Sequence, residues 1–159
     1  MKIALGCDEA GLTMMDMIRD YLKQKQIEVQ DFGVHSVDPV DYPDIALVAS
    51  EAVASGECER GILVCGTGIG MSITANKVPG VRAALCHDTY SAERARKSND
   101  AQVLCMGARV IGPELAKSIL DHWLDSEFAG GRSAPKVAKM NAVDEKYRGQ
   151  HDDISSKSC

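Results

Sequence analysis

The chain has 159 residues, of which 45% are hydrophobic, and a formal net charge of −5. This length and composition predict a single domain with one buried core. An acidic chain without a basic stripe excludes a surface that binds phosphate backbones, so nucleic acid is not a predicted partner.

Short β-branched runs alternate with amphipathic helical stretches, a pattern typical of a parallel sheet with helices on both faces. Five strands are predicted, at Lys2–Cys7, Ile27–Phe32, Gly61–Cys65, Val81–Cys86 and Gln102–Gly107. Helices are predicted between them, at about Gly11–Lys25, Tyr42–Ser55, Gly70–Asn76, Thr89–Ser98 and Gly112–Ser126. The predicted fold class is therefore α/β.

A further helix is predicted at about 136–147, after the glycine-rich stretch FAGGRSAPK. Its apolar stripe, Val137, Met140 and Val143, is thin, which favours packing on a partner subunit. The polar residues that follow predict a disordered tail. The predicted organisation is one domain over 1–149 and a tail over 150–159.

The six cysteines form no CxxC pair and accompany no histidine cluster, which predicts reduced thiols rather than disulfides or a zinc site. The first residues, MKIALGCDEAG, do not form a signal peptide, and no stretch approaches the ~18 apolar residues of a membrane span. We expect a soluble cytoplasmic protein without a metal ion.

In an open parallel sheet, ligands bind at the carboxyl ends of the strands. The most conspicuous of these ends is LVCGTGIGMSITANK, Leu63 to Lys77. A dinucleotide fingerprint would need glycine at Met71, and no Lys-Ser/Thr pair closes a P-loop. The stretch predicts a strand, a thiol, and a glycine turn that opens a helix.

The thiol in this turn is Cys65. Backbone N–H groups and a helix N-terminus at the turn would stabilise both a thiolate and an oxyanion beside it. Both are needed to abstract a proton next to a carbonyl group. The alternative is that Cys65 is a small buried hydrophobic residue at the end of a strand.

Polar residues follow the other strands. Asp8 could bind substrate hydroxyls or cap the helix near Gly11, and Asp88 resembles a helix cap. His87 could be a partly exposed polar residue. The cations Arg132 and Lys136 could clamp a phosphate or form a solvated surface pair.

Six motifs together resemble the family of ribose-5-phosphate isomerase B and galactose-6-phosphate isomerase subunits. In chain order they are GCDEAG, DYPD, ILVCGTGIGMSITANKVPGVRAAL, DTYSAERAR, NDAQVLCMGARVIG and GGRSAPKV. The resemblance as a whole extends from Met1 to about Gly149. The resemblance implies a flavodoxin-like dimer, or a dimer of dimers, whose active sites take residues from two subunits.

The resemblance also implies an activity: cofactor-free interconversion of phosphorylated aldoses and ketoses through a cis-enediolate. Cys65 would be the base, and Thr67 would assist proton transfer at an oxygen. The enediolate oxygen would bind the turn residues Gly66, Gly68, Ile69 and Gly70. Some family members have a carboxylate at the position of Ile69. The isoleucine of this chain cannot act as a base.

The remaining site residues implied by the resemblance contact the sugar and its phosphate. Asp8 and Glu9 would face hydroxyl groups, Tyr42 and His87 would line the site, and Asn99 would contact the reacting oxygens. The predicted phosphate ligands are Arg109, Arg132 and Lys136, the last replacing an arginine common in the family, which keeps the charge without bidentate geometry.

Two departures from the family pattern concern the substrate. Glu9 replaces a histidine after the first strand, and Ser98 replaces a histidine thought to open the furanose ring. Serine cannot do the acid and base work of imidazole at neutral pH. A tetrose 4-phosphate needs no ring opening, and ANKVPGVRAALCHDTYSAERARKSN resembles the branch that acts on D-erythrulose 4-phosphate.

We therefore expect D-erythrulose 4-phosphate and D-erythrose 4-phosphate as substrates. The alternatives are ribose 5-phosphate, a hexose 6-phosphate, or a sensor that binds a sugar phosphate without turnover. A receiver-like signalling domain is disfavoured because Cys65 stands where a phosphorylatable aspartate would belong.

Overall fold

The computed structural model describes residues 1–155, with side chains described for residues 1–147. In this part of the chain, five parallel strands form one sheet that is flanked by six α-helices. The strands are β1 Lys2–Cys7, β2 Glu28–Asp31, β3 Arg60–Cys65, β4 Ala83–Leu85 and β5 Val103–Gly107. The helices are α1 Leu12–Gln24, α2 Tyr42–Ala54, α3 Ile69–Ala75, α4 Thr89–Asn99, α5 Pro113–Leu124 and α6 Ala134–Ser155.

Local sequence signals explain where the helices begin. The Asp88 carboxylate accepts a hydrogen bond from the Ser91 N–H at 2.7 Å and caps α4, as predicted. Proline lies in the first turn of α2 and of α5, where its missing N–H costs nothing. The central strands β3 and β5 are buried throughout, as strands covered on both faces must be.

The strand order is β2-β1-β3-β5-β4. The chain passes outward from β1 to β2 and then crosses back over β1 to β3, so the direction of winding reverses between β1 and β3. The flavodoxin-like prediction is confirmed, but the last two strands are exchanged relative to the 2-1-3-4-5 order of flavodoxin itself. This exchange places β5 directly beside β3.

Two apolar layers cover the sheet. One face packs against α1, α4 and α5, with Trp123 of α5 fully buried. The other face packs against α2 and α3, where Met71 and Ala75 are fully buried. The outer surface of α2 and α3 remains apolar, with exposed Leu47, Val48 and Ile73.

Most predicted boundaries shift by one or two residues, and two elements, β4 and α6, differ for a clear physical reason. Strand β4 is shorter than Val81–Cys86, because it lies at the sheet edge and pairs with β5 only through Ala83, Ala84 and Leu85. Helix α6 runs on to Ser155, since Gly149 costs a helix only about 1 kcal/mol and no proline follows. The predicted tail over 150–159 begins within this helix, and its residues 156–159 lie outside the described part of the chain.

None of the helices within 1–155 has the length and apolar character that a bilayer crossing requires. Among the described residues, no three His, Cys, Asp or Glu side chains are grouped so that they could hold a metal ion. The five cysteines between Cys7 and Cys105 are free thiols, and all five are buried.

Candidate active site

The candidate site lies where the winding of the sheet reverses. Asp8 follows β1, and Gly66 follows the adjacent strand β3. The loop after β5 is joined to the loop after β3 by two backbone hydrogen bonds, from the Ala108 N–H to the Cys65 carbonyl (2.9 Å) and from the Arg109 N–H to the Gly66 carbonyl (3.0 Å). Three strand ends therefore meet at one point.

Cys65 ends β3 and is 5% exposed. Its sulfur accepts a hydrogen bond from the Gly68 N–H at 3.1 Å. The Thr67 hydroxyl accepts from the Ile69 N–H at 3.3 Å, and both of these residues are exposed. An N–H donated to sulfur stabilises negative charge on it, so the turn is suited to a thiolate.

Gly68 shapes this turn. Its φ of +77° lies in the left-handed region, and a Cβ there would come within 2.7 Å of the Met106 carbonyl carbon. Gly107 makes the matching approach from β5, since its Cβ would lie 2.7 Å from the carbonyl carbon of Thr67. The close packing of the two backbones thus requires glycine on both sides.

We expect Gly68→Ala to destabilise the protein by about 2 to 5 kcal/mol, from left-handed strain of about 1–2 kcal/mol and overpacking of about 1–3 kcal/mol. Any activity that depends on Cys65 should also fall, because the N–H that contacts its sulfur moves. Gly80→Ala is the matched control, since Gly80 has φ of +79° and open space around its Cβ position. Denaturant unfolding of both variants measures the difference, and equal losses would contradict the packing argument.

Arg109 and Tyr42 close the site from two sides. The Arg109 side chain lies against the turn, with its Cδ and Nε 3.6 Å from the Cβ position of Gly66. A Cβ on Gly70 would lie 2.4 Å from the Tyr42 ring, so the ring rests directly on this glycine. Both side chains are partly exposed and can reach a bound molecule.

Asp8 caps the 3₁₀ turn Glu9–Gly11, which is one of the two roles that the sequence left open. It is only 8% exposed, and its carboxylate accepts the Gly11 N–H at 3.0 Å, so the predicted cap is present. Burial raises the pKa of Asp8 above its ordinary value, although the Gly11 N–H and the charge of Arg109 act in the opposite direction. The ionised Asp8 carboxylate therefore carries a free-energy cost of burial that an exposed helix cap lacks.

This cost predicts the effect of Asp8→Asn on stability. Because the folded-state pKa is raised, the ionised carboxylate destabilises the native state above that pKa, and the penalty disappears below the ordinary value of about 3.9. We expect Asp8→Asn to melt higher than wild type at pH 7, to lose this advantage as the pH falls towards 3.9, and to lose activity. Thermal unfolding of both proteins at pH 7 and near pH 3.9 measures the difference in melting temperature.

Asp88→Asn is the control for this prediction. Hydrogen bonds from Ser91 lower the pKa of Asp88, so its ionised form stabilises the native state, and removing the charge should lower the melting temperature at pH 7. A lower melting temperature for both variants at pH 7 would contradict the account of Asp8.

The Glu9 carboxylate contacts a loop that is distant in sequence. Its Oε2 accepts a hydrogen bond from the Val40 N–H at 3.2 Å, which ties the 3₁₀ turn Glu9–Gly11 to the loop before Tyr42. The sequence did not indicate this contact, because Val40 is 31 residues away along the chain. Glu9 thus helps to fix the loop that leads into α2, the helix that begins at Tyr42.

His87 is half-buried beside the turn. Its Nε2 accepts a hydrogen bond from the Gly107 N–H at 2.9 Å, so the proton of the neutral ring lies on Nδ1. The other thiols near the sheet differ from Cys65 in their surroundings. Burial raises the pKa of Cys7 and Cys86 to about 11, so both stay protonated at neutral pH.

Three predicted site residues lie elsewhere. Helix α4 returns from the carboxyl end of β4 to the amino end of β5, so its last residue, Asn99, is at the opposite end of the sheet from Cys65. Arg132 and Lys136 follow Ala129, whose N–H donates to the Lys97 carbonyl near the same end of α4. We call Asn99, Arg132 and Lys136 the Asn99 corner.

Within one chain the structure therefore brings together two groups of predicted residues rather than one. Asp8, Glu9, Tyr42, the turn Cys65–Gly70, His87 and Arg109 surround the carboxyl ends of the strands. The Asn99 corner lies at the other end of the sheet, beside the end of α4.

A thiol in a glycine turn thus lies at the switch point of a parallel α/β sheet, and the neighbouring strand ends carry the buried carboxylate of Asp8 and the cation Arg109. A family pattern described as ribose/galactose isomerase matches residues 3–140. The chain belongs to this family, which confirms the resemblance of the motifs and the predicted class of enzyme, an aldose–ketose isomerase of sugar phosphates.

Individual relatives agree with this assignment. A protein of Listeria innocua named ribose-5-P isomerase B is 57% identical over 148 residues, covering 93% of this chain and 100% of the relative. A D-erythrulose-4-phosphate isomerase of Pectobacterium atrosepticum is 54% identical, covering 94% and 99%. The solved structure of ribose-5-phosphate isomerase B from Clostridium thermocellum has a TM-score of 0.91 at 52% identity, covering 92% and 99%.

Proposed function

We propose that this chain moves a proton between C1 and C2 of a short sugar phosphate, with Cys65 as the base. The observation that carries the proposal is the Gly68 N–H on the Cys65 sulfur, in a glycine turn at the switch point of the sheet. The Cys65 thiolate takes the proton from the carbon next to the carbonyl and leaves a cis-enediolate. The same thiol then returns the proton to the neighbouring carbon.

The turn and the residues around it would stabilise the enediolate, transfer protons between the substrate oxygens and bind the hydroxyl and phosphate groups. Backbone N–H groups at the start of α3 have no partners within the helix and can donate to the enediolate oxygen. The exposed Thr67 hydroxyl can pass a proton between the two substrate oxygens. Asp8 is an acceptor for the hydroxyl groups, and the Arg109 guanidinium attracts the phosphate.

A complete site needs a second copy of the chain. Asn99, Arg132 and Lys136 lie too far from Cys65 in one chain, so these residues would come from a partner. The apolar outer surface of α2 and α3 lies beside Tyr42 and Ile69 and is suited to a homodimer interface. A dimer of dimers is an extension of the same arrangement.

D-Erythrulose 4-phosphate and D-erythrose 4-phosphate are the favoured substrates, and ribose 5-phosphate is the main alternative. Ser98, next to Asn99, supports this order because it cannot open a furanose ring. The relatives described above include both activities by name. The free thiols fit the cytoplasm, where sugar phosphates are metabolised.

The experiment compares kcat/KM for the two tetrose phosphates, ribose 5-phosphate and a hexose 6-phosphate. We expect the highest value for the tetrose pair, and we expect Ser98→His to raise the value for ribose 5-phosphate about tenfold or more, since acid–base catalysis contributes about 10²–10⁴-fold. Ser98→Ala is the control, and it should change kcat/KM neither for the tetrose phosphates nor for ribose 5-phosphate. Binding of all substrates without turnover would favour the sensor instead.

A further inference from the structure

The Arg82 side chain contacts two separate segments around the Asn99 corner, the end of α4 and helix α6. It precedes the edge strand β4, and its side chain is only 17% exposed. The Nε donates to the carbonyls of Asn99 (3.1 Å) and Asp100 (3.0 Å), and the Nη2 donates to the Asp100 carboxylate at 2.8 Å. The Nη1 donates to the Asn141 side chain on α6 at 3.0 Å.

These contacts hold the end of α4. The last carbonyls of a helix have no partners within it, and a cation at this end also interacts favourably with the helix dipole. Asp100 then turns the chain with φ of +48°, a left-handed conformation that is unfavourable for a residue other than glycine. Arg96 contacts the other oxygen of the same carboxylate at 3.1 Å, so Asp100 is fixed between two guanidinium groups.

The contact with Asn141 extends this arrangement to α6. Lys136 lies five residues before Asn141 on the same helix, about 7.5 Å along its axis. The loop before β4 adds a second link, since the Gly80 N–H donates to the Asp144 carboxylate at 3.0 Å. One guanidinium thus connects the backbone of Asn99 to the helix that carries Lys136.

We propose that Arg82 is a positioning residue for the Asn99 corner: it fixes the distance between the amide of Asn99 and the cation of Lys136. The inference rests on the proposed function, in which these two side chains contact the reacting oxygens and the phosphate of one substrate. A substrate held at both points needs their separation to be constant. Arg82 itself does not touch the substrate.

The test measures kcat, KM and the affinity for inorganic phosphate in four variants. We expect Arg82→Met to lower kcat about 10- to 100-fold, the cost of a displacement of about 1 Å, and to weaken phosphate binding about tenfold. Asn141→Ala, which breaks only the link to α6, should raise KM and weaken phosphate binding without lowering kcat. Arg82→Lys keeps the charge opposite Asp100 and should recover part of the loss.

Lys117→Met is the control, because Lys117 pairs with Glu114 on the surface of α5, away from both groups of site residues. It should leave all three quantities unchanged. A fall in activity that matches only the loss of folded protein in Arg82→Met, measured by circular dichroism, would show a general structural role and overturn the inference. If that variant does not fold, unchanged values in both Arg82→Lys and Asn141→Ala overturn it.

Phosphate binding separates this inference from the proposed function. A wild-type protein without turnover would contradict the proposed function, and the affinities for phosphate would still decide whether Arg82 positions the corner. A wild-type protein that isomerises sugar phosphates while Arg82→Met and Asn141→Ala match it would overturn the inference alone, as would a wild-type protein that binds no phosphate.

Discussion

Replacing Cys65 with alanine should lower kcat about 10³-fold, within the 10²–10⁴-fold range of a single acid–base group. The variant has no other ionisable group in the turn, since Thr67 and Ile69 cannot replace the thiolate. The proposed phosphate ligands do not include Cys65, so the affinity for inorganic phosphate should stay near the wild-type value. The rate of aldose formation from the preferred ketose phosphate and a phosphate titration measure the two effects.

Cys7→Ala is the matched control for this prediction. Cys7 occupies the equivalent position at the end of the neighbouring strand β1, and it is fully buried. Burial raises its pKa to about 11, so it carries no charge that catalysis could use. Equal activity losses in the two variants would mean that Cys65 contributes through packing alone.

Mixed dimers should recover activity from two inactive parents. Cys65→Ala has an intact Asn99 corner, and the double variant Arg132→Ala with Lys136→Ala has an intact turn around Cys65. If each site takes one group from each subunit, a mixed dimer contains one complete site. Random pairing makes half of the dimers mixed, so co-expressed chains should reach about a quarter of wild-type activity.

Different affinity tags allow the mixed dimers to be isolated, and their activity should be about half that of the wild-type dimer. The control pairs a Cys65→Ala chain with a Thr67→Ala chain. Both changes lie in the same group of residues, so these mixed dimers should remain inactive. Inactive mixed dimers in the first pairing would contradict a shared site and would require α6 to reach Cys65 within one chain.

The strands of the sheet were predictable because their apolar runs are short and bounded by glycine or charged residues. The order of the strands across the sheet was not predictable. The exchange of β4 and β5 depends on how the crossover helices pack, and it leaves no local pattern in the sequence. The predicted end of α6 at Tyr147 was wrong because a single glycine is a weak helix stop.

The glycine turn was the most predictable part of the site, because three glycines after a buried strand have few structural explanations. The location of Asn99 could not be read from the residues around it. It depends on the direction of α4 relative to the sheet, which places it away from Cys65. The contact between Glu9 and Val40 and the contacts of Arg82 join segments that are distant in sequence, so no periodicity indicates them.

The most direct test of the central claim is isomerisation in D₂O, followed by NMR. A base that moves a proton between C1 and C2 exchanges part of it with solvent, so wild type should give aldose phosphate with deuterium at C2 and ketose phosphate with deuterium at C1. Cys65→Ala should incorporate deuterium no faster than the uncatalysed background. Incorporation by Cys65→Ala at the wild-type rate, or none by wild type with any phosphorylated sugar, would contradict the account.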